Sequence, residues 1–133
     1  MKEEKELKSL FSEGTLDRIF PEQRADQFFD ALYGEHEEGA YDISLRFEGY
    51  DGKKNILSFG LVLRERPGKC LACNLTYGLP QVFSRHPVID VKGIVREIEK
   101  LLGEGISCGE WNLGRTNPVS GKLHVIPLNI RIS

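Results

Sequence analysis

The sequence predicts an α+β protein. It reads as a single domain, an antiparallel sheet of about five strands with helices packed on one face, in the order α-α-β-β-β-α-β-β. Three observations carry this expectation. Apolar residues recur at helical spacing near the N-terminus and again over residues 91–102. They alternate over residues 41–64 and near the C-terminus, and short turns rich in Gly, Asp and Pro join the alternating runs as hairpins.

Each element follows from its residues. Residues 3–12 form a helix with a thin apolar stripe of Leu7, Leu10 and Phe11, ended by Ser12-Glu13-Gly14. Thr15 is placed to cap a short turn, LDRIF. Pro21 suits the first turn of a second helix, in which Ala25, Phe28, Phe29 and Leu32 share one face and Gly34 is the stop. The stretch EHEEGA is a polar linker. Tyr41, Ile43, Leu45 and Phe47 then alternate with polar residues, as do Leu57, Phe59, Leu61 and Leu63. A loop over residues 50–52, with Gly52 left-handed and a bulge, would pair Leu45 with Leu57 and Ile43 with Phe59, keeping both apolar sets on one face.

Pro67-Gly68 turns the chain into a third strand over residues 69–77. A gap with three turn-formers follows, with a short extended piece at Gln81–Ser84. Asp90 caps the strongest helix, VKGIVREIEKLL, whose Val91, Ile94, Val95, Ile98, Leu101 and Leu102 lie on one face, and Gly103 ends it. ISCGEWNLG and KLHVIPLNIRI make a final hairpin around a long loop, GRTNPVSG. Pro127 places the last strand at an edge, or bulged there.

At 133 residues the chain suits one core. Its 40% apolar and 29% charged residues are those of a globular protein, and no apolar run approaches the roughly 20 residues that cross a bilayer. The charged start, MKEEKELKSLF, and a count of three cysteines point to no export and to a cytoplasmic location. Charge divides the chain. Residues 1–39, an acidic helical segment, hold five basic and eleven acidic side chains, while residues 40–133, the sheet body, hold thirteen and nine. A solvated helix face accounts for the acidic excess; so does a segment that covers a basic surface.

Cys70-Leu71-Ala72-Cys73 raises the question of a metal knuckle or a redox pair. Alternation from residue 69 to 77 puts Leu71, Cys73, Leu75 and Tyr77 on one side and Cys70 on the other, so the two thiols face apart. A zinc site would need two further ligands from Cys108, His36, His86 and His124, which form no closely spaced pair. No helix starts at the first thiol, as a thioredoxin-like pair requires. The expectation is therefore no metal and no cofactor.

Other chemistry is equally sparse. Ser84-Arg85-His86-Pro87 lacks the orienting third group of a nucleophile–base pair, and the chain has no G-x-S-x-G elbow and no phosphate loop. Arg64, Arg66 and Lys69, with Arg85, can form a basic rim able to grip phosphate, an acidic peptide or RNA. Arg115, Asn117 and His124 lie by the last hairpin loop, and Trp111, the single tryptophan, reads as a core anchor or an interface residue, with the core preferred. Without stacking aromatics on an exposed strand face, and with a net charge of −2, nucleic-acid binding is not the expectation.

The second face of the sheet, with Ser44, Arg46, Ile56, Ser58, Gly60, Val62, Cys70, Ala72, Asn74 and Thr76, is semi-polar. Two readings stay open: a partner surface, or a face covered by residues 1–12. No family is identified from the residues. The element order alone resembles that of the small, acidic, dimeric chaperones of type III secretion, with no motif behind it and no residue transferred. That resemblance implies a protein-binding module rather than an enzyme. The expectation is a small cytoplasmic protein-binding module, non-catalytic and homodimeric, with no membrane or nucleic-acid partner. The alternative is a small-ligand binder or enzyme using Arg64, Arg66, Arg85, His86, Arg115 and His124, which would have to converge on one pocket.

Overall fold

The computed structural model describes residues 4–21, 23–33, 41–68, 83–103, 105–120 and 122–133. In chain order these form α1 (Glu4–Leu10), α2 (Glu13–Ile19), α3 (Gln23–Tyr33), β1 (Tyr41–Asp51), β2 (Ile56–Glu65), α4 (Val91–Leu102), β3 (Cys108–Leu113), β4 (Asn117–Ser120) and β5 (Leu123–Ile132). The strands make one antiparallel sheet of five, ordered β1-β2-β5-β3, with β4 also paired to β5. The α+β class is borne out. The predicted third strand with Cys70 and Cys73, the helix stop at Gly34, the linker after it, His36, Lys69 and the side chain of Leu32 lie outside the described residues.

The helical region holds three helices, not two. LDRIF belongs to α2, and the cap is Ser12: its hydroxyl accepts the backbone N–H of Thr15 at 3.4 Å. The expected cap, Thr15, is the donor in that bond. At 7 residues each, α1 and α2 are too short to persist alone. Burial holds them. Leu7 from the first and Phe11 just after it, Leu16 and Ile19 from the second, and Ala25, Phe28 and Phe29 from α3 share one cluster with Leu57, Phe59, Leu61 and Leu63 of β2 and Ile126, Leu128 and Ile130 of β5. A large apolar side chain withdrawn from water in this way contributes about 1.5–3 kcal/mol.

Phe11 settles which face the N-terminal residues cover. Its ring lies 5.6 Å from Phe47 and 5.0 Å from Phe59, on the core side of the sheet. Residues 4–11 therefore do not cover the second face, and that reading is corrected. On the second face, Val62 and Val125 are buried yet stand outside the core cluster. Gly60 lies beneath the Arg46–Glu48 ion pair, and a Cβ there would meet Glu48 Oε1 at 2.7 Å and Val125 Cγ1 at 2.8 Å.

The β1–β2 register departs from expectation. Ile43 pairs with Leu63 and Leu45 with Leu61, four residues further along β2 than predicted. Both strands run closer to the turn than the alternation shows. Asp51 Oδ1 accepts the backbone N–H groups of Lys53 and Lys54, at 3.0 and 3.3 Å, and Asn55 takes the left-handed conformation (φ 54°) in place of Gly52. The bulge sits between Phe47 and Gly49 rather than in the turn, and it returns Tyr50 to the core side opposite Leu57.

Pro127 lies in an interior strand, not at an edge. It faces Gly60 of β2 on one side, and on the other its carbonyl accepts the N–H of Gly114 at 2.8 Å. Gly114 lies where the outer strand breaks between β3 and β4. The return bond, from a nitrogen that proline lacks, is missing there, so the discontinuity falls in the neighbouring strand. That neighbour also carries β4, which replaces the expected long loop.

Candidate functional site

The segment before α4 is pinned from both ends. Phe83 and Ile89 are fully buried, and the Phe83 and His86 rings stand edge-on to Phe28 of α3, at 5.3 and 4.8 Å. Residues 83–85 are helical rather than extended, which corrects the expected Gln81–Ser84 piece over its described part. His86 Nδ1 accepts the Val88 N–H at 3.2 Å, and the His86 carbonyl accepts the Asp90 N–H at 2.9 Å. Arg24, which lies over the Phe20 ring, donates to the Ile89 carbonyl at 3.4 Å. With Phe83 and Ile89 turned inward, Arg85 and Pro87 are exposed.

Asp90 then starts α4 from a left-handed conformation (φ 48°, ψ 61°), its Oδ1 accepting the N–H of Gly93 at 3.1 Å. Asp tolerates this backbone better than most residues, because its short side chain bonds locally. A Cβ at position 93 would collide with the same carboxylate, so cap and glycine go together.

Between this segment and β3 runs an open groove of about 640 Å³, lined by Ser84, Arg85, His86, Pro87, Asp90, Val91, Lys92, Trp111, Asn112 and Leu113. Trp111 is half-buried: opposite Ile130 in the sheet, it packs against the core and also lines the groove. Arg85 and Lys92 supply exposed cations. Of the six residues proposed from sequence, the groove gathers only Arg85 and His86. Arg66 is held elsewhere, donating to Asp26 Oδ1 at 2.6 Å and Asp42 Oδ1 at 3.0 Å and lying over the Phe29 ring at 5.3 Å. Arg64 is exposed on the second face, and Arg115 is exposed between β3 and β4. His124 is buried in β5, opposite Leu63, and its Nδ1 has no hydrogen-bond partner among the described residues. The basic rim of Arg64, Arg66 and Arg85 is therefore not formed.

With its Nδ1 lone pair on the Val88 N–H, a neutral His86 carries its proton on Nε2 and offers a donor rather than a base. Cys108, at the start of β3, gives its backbone N–H to Glu99 Oε2 at 2.7 Å. Burial, and then the Glu99 carboxylate, push its thiol up to about 11, so it is not a thiolate nucleophile at neutral pH. Among the described residues no three His, Cys, Asp or Glu side chains are placed to hold a metal ion. A second, smaller recess of about 140 Å³ lies across the sheet among Ile56, Glu110, Asn112, Asn129 and Arg131.

Sequence reasoning missed Lys92, Asp90 and Asn112 as groove residues. Lys92 reads as an ordinary solvent-side lysine of α4, and nothing in the local pattern brings β3 beside it. Searches against family models, curated proteins and solved structures give no match to this chain. The element-order resemblance to secretion chaperones accordingly gains no support. No helix among the described residues is long and apolar enough to cross a membrane.

Proposed function

We propose that the chain is a protein-binding module, without chemistry of its own, and that its partner lays an extended segment in the groove over Trp111. The observation that carries this is the groove's make-up: one half-buried tryptophan that shares the lining with Arg85 and Lys92, on walls built from a strand and a pinned helix start. Tryptophan and arginine are the residues that most often dominate binding energy at protein interfaces. The groove is open, whereas small-molecule sites bury about 70–90% of their ligand. Scatter of the six basic and histidine candidates weighs against the enzyme alternative. The same reading puts the protein in the cytoplasm, where its thiols stay reduced.

The test is amide chemical-shift mapping of the labelled protein with a mixed-sequence library of extended peptides. Shifts gathered on residues 84–92 and 111–113 are the expected result. Saturating library without shifts in these two segments would overturn the reading. Light scattering alongside asks whether the partner is a second copy of the chain: a dimer whose interface shields Trp111 makes the module homodimeric, as expected from the sequence.

A further inference from the structure

Resting on that reading, we infer that the segment taken by the groove is acidic: a short extended peptide whose carboxylate side chains meet Arg85 and Lys92 while one apolar side chain settles on Trp111. Three features of the groove converge on this chemistry.

The first is charge. Arg85 and Lys92 stand exposed on the groove, and neither has a carboxylate partner in an ion pair among the described residues. Arg64, Arg96, Arg115, Lys122 and Arg131 are likewise outside these ion pairs; what sets Arg85 and Lys92 apart is that both line one groove. Among the described lining residues the single carboxylate is Asp90, and it is engaged with the Gly93 N–H as the cap of α4. The groove thus presents more unmatched positive than negative charge.

The second is hydrogen-bond polarity. Arg85 and Lys92 are donors only, and a neutral His86 has its acceptor nitrogen on Val88 and keeps a ring N–H to give. Three neighbouring donor side chains call for acceptors, and carboxylates give the strongest bonds to cationic donors. The third is the apolar floor. Trp111, Val91, Leu113 and Pro87 line the same groove as these donors. A free anion would leave that floor wet. An extended segment with acidic and apolar residues in alternation fills both parts, since its successive side chains point to opposite sides.

The test uses the full chain and three fluorescently labelled peptides of one length, in which Leu alternates with Glu, with Gln or with Lys. Anisotropy should show the Glu peptide binding most tightly, with the advantage over the Gln peptide shrinking as salt is added. Replacing both cations (Arg85→Ala with Lys92→Ala) should weaken the Glu peptide roughly tenfold and leave the Gln peptide unchanged. Equal binding of the Glu and Gln peptides, both lost on Trp111→Ala, would overturn the acidic preference yet keep the groove as the docking site. Absence of binding by all three, with the protein folded by circular dichroism and no peptide of the mixed library reaching the groove, would remove the binding module itself. Tighter binding of the Lys peptide would overturn the acidic preference outright.

Discussion

Asp90 and Gly93 are mutually dependent: the aspartate carboxylate accepts the glycine N–H at 3.1 Å and occupies the space that a Cβ at residue 93 would need. In an ordinary helix, Gly→Ala stabilises by about 1 kcal/mol. Here that gain is expected to be cancelled, because Gly93→Ala displaces a cap that contributes about 1 kcal/mol. In an Asp90→Ala background the clash is absent and the same change should become stabilising. Urea denaturation of the four proteins of this cycle measures the coupling. A Gly93→Ala effect independent of residue 90 would contradict it.

Arg66 joins three parts of the fold. It serves Asp26 of α3 and Asp42 of β1 from the end of the hairpin, and it covers Phe29. Arg66→Ala should therefore cost about 1–2 kcal/mol, at the lower end of charge-assisted bonds because both carboxylates are nearly half exposed. Arg66→Lys should recover little of it, since an ammonium has neither the fork for two carboxylates nor the flat face for the ring. Thermal unfolding distinguishes the two variants; full rescue by lysine would show that only charge matters.

Cys108 should resist alkylation at pH 8 in the native protein and react on unfolding, followed by mass spectrometry of its peptide. The pH dependence has a definite sign. The native thiol titrates near 11 rather than at its ordinary 9.0, raised by burial and then by Glu99. Its contribution is fully present below the unfolded value and is lost as pH climbs through the window from about 9 to about 11. Replacing Glu99 with Gln keeps an acceptor for the Cys108 N–H and removes the carboxylate charge, so labelling at pH 10 should quicken. Unchanged labelling would assign the effect to burial alone.

What the sequence made legible follows from how local each signal is. Helix α4 was plain because its cap, apolar face and terminal glycine all lie within residues 90–103. The apolar faces of β1 and β2 were equally plain, but their pairing was not. A slide of four residues leaves each apolar side chain on the core side, so alternation cannot detect it. The information sat in the Asp51 side chain and in a left-handed Asn55, where a Gly52 turn was the obvious choice. β4 is exposed at all its positions and contains Pro118, so it offers no alternation to find.

The groove was legible in one half only. Residues 84–87 stood out as a loop with Arg85 and His86, but for Trp111 the core was preferred over an interface. Both halves are true of a residue that packs inward and also lines a groove. What joins residues 84–92 to 111–113 is the position of β3 at the end of the sheet order, a tertiary fact with no counterpart in spacing along the chain.

Trp111 offers the most direct measurement of the central claim that a partner segment covers this groove, because it is the single tryptophan and reports from the site without a label. Its emission should shift to the blue, and become protected from acrylamide, as the alternating Glu-Leu peptide is added to the native chain. Saturated binding by anisotropy with the emission and quenching of Trp111 unchanged would place the peptide elsewhere and contradict the account.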